Sequence, residues 1–295
     1  MVIQPSEVSH KISKGISLVD ELVDVNQSKL YYLFLQVGLD SMAYCIVDSR
    51  NNKYLAMETY TFQNIYNYSL LAENIKIVVG KHPLLSKSFS KVHVALVNNK
   101  STLIPDPLFE SDTQKDYVKF NFTLEDDERI AMDTLKTLNA KNLFALPKSL
   151  EQVLLKLFPN LLITHHSTSL VENLITNYKN QQDKKIIVHV QLSHFEITVL
   201  EGQSLIFYNS FRHQTSEDFI YYLLFVCEQL KLNPENMELI LIGEVERNSA
   251  IYSILHKYVR HIKFDSRNDN VEFSYKFNDI PRHFYYNLFS QYRCA

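Results

Sequence analysis

Residues Lys184–Phe211, KKIIVHVQLSHFEITVLEGQSLIFYNSF, read as three β-strands joined by two tight turns. The second turn carries Gly202, whereas the first, Gln191-Leu192-Ser193-His194, has no glycine. Turns that close backbone N–H groups around a phosphate depend on glycine, because a Cβ holds the ligand off. Working outward, TSEDFIYYLLFVCEQLKL follows, where Thr215 or Ser216 caps a helix with Glu217 and Asp218 in its first turn. Its apolar residues run nearly all the way round, which predicts heavy burial. Beyond Asn233-Pro234, MELILIG reads as a buried strand and NSAIYSILHKYV as an amphipathic helix.

The same order occurs earlier. Leu30–Phe62 contains strand-like runs broken at Gly38-Leu39-Asp40 and at Asp48-Ser49-Arg50-Asn51-Asn52, both with turn chemistry. A helix is expected from Ile65 to Gly80 and a strand from Lys91 to Val97. Further along, the pattern predicts a strand over Asp116–Phe122 and helices over Asp126–Leu138, Pro147–Phe158 and Ser167–Asn177. LQVGLDSMAYCIV and HVQLSHFEITVL thus open two units of one plan: a three-stranded meander, then a helix, then a buried strand.

Composition narrows the class. The chain has 295 residues, 46% of them hydrophobic and 21% charged, an ordinary globular balance. A formal net charge of −3 gives no overall field for nucleic acid or an anionic membrane. Arg247 to Ala295 holds eight Lys/Arg against four Asp/Glu, an excess that suits a solvated face better than a nucleic-acid patch. Cys45 and Cys227 lie in apolar segments and read as small buried hydrophobes, which suits a reducing cytoplasm. The opening MVIQPSEVSHKISKG lacks the apolar run of a signal peptide and no apolar stretch reaches the ~18 residues of a membrane span, so a soluble cytoplasmic protein is expected.

These paired meanders resemble the actin-like ATPase fold shared by actin, the heat-shock chaperone ATPases, sugar kinases, FtsA and PilM. More narrowly, the chain is similar to an uncharacterised domain-of-unknown-function family of Bacteroidota with that fold. The resemblance implies an α/β protein of two related actin-like (ribonuclease H-like) lobes, each a mixed sheet opening with a three-stranded antiparallel meander and flanked by helices. The expected organisation is an N-terminal arm (residues 1–29), a first lobe (30–180) and a second lobe (181–295), whose C-terminal segment packs back on the first.

In that fold the first turn carries Asp-x-Gly, the second Asp-x-Gly-x-Gly-Thr, and a later strand ends in Gly-Gly beside the adenine. Here the first turn keeps Gly38 but has Gln36 for the aspartate. The second has His189 for the aspartate, Gln191 and Ser193 for the glycines, His194 and Phe195 at the following positions, and then Glu196 for the next aspartate. The third keeps Gly243 beside Glu244. An amide and an imidazole are poor Mg²⁺ ligands, and side chains at 191, 193 and 194 crowd a phosphate. The expectation is therefore a non-catalytic interaction or scaffold protein with degenerate nucleotide loops, no metal, no cofactor and an unidentified protein partner. The alternative is an ATPase or kinase with substituted ligands. In that case Gly38, Asp40, Ser41, His194 and Gly243 would hold ATP with Mg²⁺.

Other candidates carry less chemistry. His165-His166 lacks the helical spacing of a zinc pair and reads as a surface loop. No G-x-S-x-G elbow is present, and neither Cys45 nor Cys227 has a catalytic context. Phe219, Tyr221, Tyr222 and Phe225 fit core packing. The terminal run HFYYNLF suits docking on the body or on another chain.

Overall fold

The computed structural model describes residues 11–267 and 271–294; positions 1–10 of the expected arm lie outside them. The chain enters along β1 (Lys11–Val19), followed by β2 (Tyr31–Val37), β3 (Ser41–Asp48) and β4 (Lys53–Gln63). Strands β2, β3 and β4 form the antiparallel meander that the turn chemistry predicts. The expected arm is in part a sheet strand, because β1 pairs antiparallel with β4. Ile12, Ile16 and Leu18 of this polar-looking segment pack against the core, so its alternation is that of an edge strand. At Gly15 the register shifts, and a Cβ there would stand 2.6 Å from Thr59 Oγ1, which accepts a hydrogen bond from the Ile16 amide.

Helix α1 (Tyr68–Lys81), capped by Asn67, leads to β5 (Lys91–Leu96), parallel to β2. Next come β6 (Ser101–Pro105), α2 (Gln114–Asn121), β7 (Glu128–Leu135) and β8 (Ala140–Pro147). Strands β6, β8 and β7 make a separate three-stranded antiparallel sheet. Two expectations fail in this insertion. Asp116–Phe122, expected as a strand, is helical: Val118 turns into the small core while Phe120 is 91% exposed, so the apolar alternation of 118, 120 and 122 is not a sheet face. Asp126–Leu138, expected as a helix, is mostly β7. It pairs with β8 through a turn at Asn139, whose φ of 49° an Asn tolerates well.

Helix α3 (Lys148–Leu157) starts directly after Pro147. Strand β9 (Leu161–His165) then joins the first sheet parallel to β5, and α4 (His166–Tyr178) follows without a break. The second half is β10 (Lys185–Val190), β11 (His194–Glu201), β12 (Ser204–Arg212), α5 (Ser216–Gln229), β13 (Glu238–Gly243), α6 (Ala250–Tyr258) and β14 (His261–Phe264). Its sheet order, β12-β11-β10-β13-β14, matches β4-β3-β2-β5-β9 of the first sheet strand for strand. The chain closes with β15 (Glu272–Phe273), which pairs with β4, and α7 (Tyr286–Cys294).

Packing follows from these faces. Helices α1 and α3 cover one face of the first sheet, through Leu71, Ile75, Leu150 and Leu154. Its other face meets Phe277, Leu288 and Phe289 from the C-terminal segment, where the Tyr54 hydroxyl donates to the Phe289 carbonyl. Helix α4 lays Leu170 and Leu174 on Ile187, Ile240 and Ile242 of the second sheet. On the opposite face of that sheet, α5 starts with a capping box between Thr215 and Asp218. It is not buried all round: Phe219 and Leu223 face the core, but Tyr221 is 63% and Phe225 46% exposed. The basic C-terminal stretch uses much of its charge internally. Lys263 pairs with Glu238, Lys276 with Glu21, and buried Arg267 lies 4.2 Å from the Phe273 ring centre.

Candidate functional site

The two sheets present equivalent hairpin turns to each other. Each is closed in the same way, the Gly38 amide donating to Ser41 O and the Gln191 amide to His194 O, both at 2.9 Å. Between them lies a cavity of about 280 Å³, lined by both turns, by Thr61 and Tyr60 of β4, and by Glu244 and Tyr285. Gly38, Asp40, Ser41, His194 and Gly243, drawn from three separate stretches of sequence, all border it.

The tips of the turns bond directly across this cleft. Gln36 Nε2 donates to Gln191 Oε1 (2.8 Å), and Ser193 Oγ donates to Asp40 Oδ2 (2.6 Å). Ser41 Oγ holds the other Asp40 oxygen at 2.9 Å, which fixes the carboxylate toward its partner turn. The third retained loop residue, Gly243, has a structural duty of its own. Its φ is +88°, and a Cβ would stand 2.1 Å from Val190 O and 2.9 Å from His189 Cδ2. Glu244 follows it, donating its backbone N–H to Val190 O (2.7 Å) while its side chain remains exposed.

Behind the second turn sits a buried charge cluster that sequence reasoning missed. Glu196 is fully buried on β11, with His166 Nε2 2.7 Å from its Oε1 and His189 Nδ1 2.9 Å from its Oε2. His194 Nε2 lies 3.0 Å from Oε1, an ion-pair distance whose angle falls short of a hydrogen bond. Burial pushes the Glu196 carboxyl up. The charges of His194 and His189 and the hydrogen bonds of His166 and His189 outweigh it and hold the group well below the usual carboxylate range. Burial likewise opposes charge on His194, but Glu196 wins and draws that imidazole above its ordinary value. His166 Nδ1 faces the Leu96 carbonyl at 3.2 Å, so both of its nitrogens point at acceptors.

This corrects the expectation of a surface loop at His165-His166, which are 1% and 0% exposed. His165 is tied to Ser167 Oγ and Asn98, and His166 bridges the first sheet to the second. The only local signal was that both follow a short apolar strand segment, LLIT, and precede a helix. The two acceptors of His166, Leu96 and Glu196, are 70 and 30 residues away. Cys45 and Cys227 are buried and free, and burial pushes both thiols up, that of Cys227 to about 11.

Magnesium–nucleotide chemistry asks for carboxylates at the two loop positions 36 and 189, whereas Asp40 and Glu244 are the carboxylates that line the cavity. At positions 36 and 189 stand an amide and an imidazole engaged with protein partners.

Two sheets of one strand order, with their meander turns facing across a cleft, define an actin-like ATPase fold, and solved structures agree. A crystal structure from Bacteroides thetaiotaomicron, of a protein with actin-like ATPase fold and unknown function, is similar with TM-score 0.75 and 26% identity, over 83% of this chain and 94% of that one. A chain of the PilM–PilN type IV pilus biogenesis complex is similar with TM-score 0.60 and 12% identity, over 90% and 98%. The chain belongs to the DUF3822 family, described as a protein of unknown function, which matches residues 20–262. No curated protein matches it. Among the described residues, no helix is long and apolar enough to cross a membrane.

Proposed function

We propose that this protein is a non-catalytic interaction or scaffold module built on the actin-like fold. One observation carries the reading: side chains of the two phosphate-loop positions are bonded to each other, Gln36 to Gln191 and Asp40 to Ser193. Phosphoryl transfer needs donors and a cation aimed at a phosphate, and these side chains aim at their opposite turn instead. A cleft bridged by its own residues makes a stable platform, and surface features become the working parts. Exposed Tyr221 and Phe225, stacked with ring centres 6.4 Å apart, are of the type enriched in protein interfaces. The same fold takes part in a protein complex in PilM–PilN, which fits a partner-binding role. Two buried free thiols suit the reducing cytoplasm as its compartment.

The test is thermal unfolding of the purified chain with and without millimolar ATP and Mg²⁺. A ligand at 100 times its Kd adds ~2.7 kcal/mol. The expected result is no shift. A saturable shift that is abolished by Asp40→Ala would replace the scaffold reading with a nucleotide-binding enzyme.

A further inference from the structure

We propose that His166, His194 and Glu196 form a binding site for one divalent transition-metal ion of the zinc class, entered from the cleft. The three donor atoms, two Nε2 and one carboxylate oxygen, lie within 4.8 Å of one another. Neighbouring donors in a tetrahedral zinc site, with bonds of about 2.0–2.1 Å, stand roughly 3.3 Å apart. The observed 2.7 and 3.0 Å to Glu196 Oε1 are a few tenths of an ångström short of that spacing, and the two imidazole nitrogens lie within 4.8 Å of each other.

Three features go beyond proximity. His194 Nε2 is buried, makes no hydrogen bond of proper geometry and points at the cluster, a nitrogen set for a bond it lacks. The supporting groups are those a ligand set needs. The Leu96 carbonyl faces His166 Nδ1, which leaves Nε2 to the ion, and His189 Nδ1 holds the second oxygen of Glu196. Finally, the backbone fixes the set. His194 and Glu196 alternate on one face of β11, and His166 is anchored at the start of α4. The cavity, which His194 and Gln191 both line, offers the cleft side for a fourth donor, a water or a group of a bound partner, once Gln191, whose Nε2 donates to Glu196 Oε1 at 3.3 Å, swings aside.

Two imidazoles and one carboxylate select the class. Magnesium and calcium demand oxygen donors, whereas mixed nitrogen and oxygen sets favour zinc and its neighbours. This site is independent of the scaffold reading, since a metal could brace a partner-binding platform or an enzyme alike.

Isothermal titration calorimetry of the chelator-treated full chain with zinc chloride tests it, using wild type, His194→Ala and, as a control, His256→Ala on the exposed side of α6. His194 sits at the turn, at the edge of the cluster, and circular dichroism verifies that each variant is folded. The expected result is one ion per chain for wild type and the control, with affinity reduced at least 10-fold in His194→Ala. Cobalt(II) should give the intense visible absorption of a tetrahedral site in wild type and lose it in His194→Ala. Absence of zinc binding at 1 mM overturns the proposal, as does equal affinity in His194→Ala. Effective competition by equimolar Mg²⁺ overturns the assignment of metal class.

Discussion

If the two turns latch the cleft, each cross-turn bond should be measurable as a coupling. The perturbation is a pair of double-mutant cycles, Gln36→Ala with Gln191→Ala and Asp40→Ala with Ser193→Ala. The first bond joins two neutral, half-buried amides at 2.8 Å. Such a bond contributes about 1 kcal/mol net. The second, at 2.6 Å, has an ionised acceptor, but Ser193 is exposed. Bonds to charged groups reach about 1.5–3 kcal/mol, and solvent screening brings this one down to roughly 1 kcal/mol. Together the latch should hold the turns with about 2 kcal/mol. The cycle form matters because Asp40→Ala also removes the Ser41 contact, a loss that cancels in the coupling term. The chain has no tryptophan and 18 tyrosines, so urea unfolding is followed by tyrosine fluorescence and by circular dichroism. Coincidence of the two probes licenses the two-state treatment. Couplings below about 0.3 kcal/mol in both cycles would refute the latch, because independent sites add to that precision.

Further outcomes follow from other residues. Gly243→Ala places a Cβ 2.1 Å from Val190 O at a φ of +88° and should cost about 3 kcal/mol or more, read as a fall in the urea midpoint. Gly80→Ala, in open space near the end of α1, should instead stabilise by up to about 1 kcal/mol in the same assay. Leu288→Ala removes a fully buried side chain between α7 and the first sheet and should cost roughly 2–5 kcal/mol; a loss under 1 kcal/mol would mean that α7 is not docked. His93 is buried, and burial lowers its pKa from 6.5 to about 4, so the unfolded chain binds the extra proton between those values. Its contribution is full above pH 6.5 and is lost as the pH falls to 4, about 3 kcal/mol in all. Asp133, whose carboxyl burial raises to about 6, acts in the opposite sense below that pH. The measurement is therefore the difference in stability between wild type and His93→Gln from pH 7 to 4, which should shrink as the pH falls; a pH-independent difference would exclude the titration of His93.

What could be read from the sequence was local. Both meanders were legible because strand alternation and turn residues such as Asp48-Ser49-Arg50-Asn51-Asn52 lie within one stretch, and α5 because Thr215 and Asp218 sit at capping distance. The insertion was not. Strand β6 pairs with β8 some forty residues on, and both lie beside a helix whose Val118, Phe120 and Phe122 mimic strand alternation. Tertiary packing, which buries Val118 and leaves Phe120 in solvent, overrode that pattern. The polar β1 misled for the opposite reason, since an edge strand needs few apolar residues. At the site, Gln36, His189 and Ser193 could be placed on the right turns by position alone. That Ser193 reaches Asp40, or that His166 reaches Glu196, depends on how two sheets face each other, and no local signal encodes it.

The substitutions at the turns form one consistent change of charge placement. A phosphate site sets carboxylates at its surface to organise a cation between protein and ligand. Here Asp40 is bonded within the protein, and Glu196 lies behind the turn with imidazoles in place of a solvent-borne ion. Removing any one of those histidines leaves a buried carboxylate short of partners, a costly state that ties them to each other. The exposed tips of the turns become amide and hydroxyl groups that satisfy one another. A ligand large enough to part the two turns must break both cross-turn bonds. At about 2 kcal/mol that is roughly a 30-fold penalty on its affinity, before any contact of its own is counted. A metal at His166, His194 and Glu196 would meet less of that penalty, since it need displace only Gln191 from Glu196 Oε1 and leaves Ser193 on Asp40, whereas a nucleotide would meet both bonds. The latch therefore discriminates by position, and loosening it with Ser193→Ala should ease entry of larger ligands while leaving the metal donors in place.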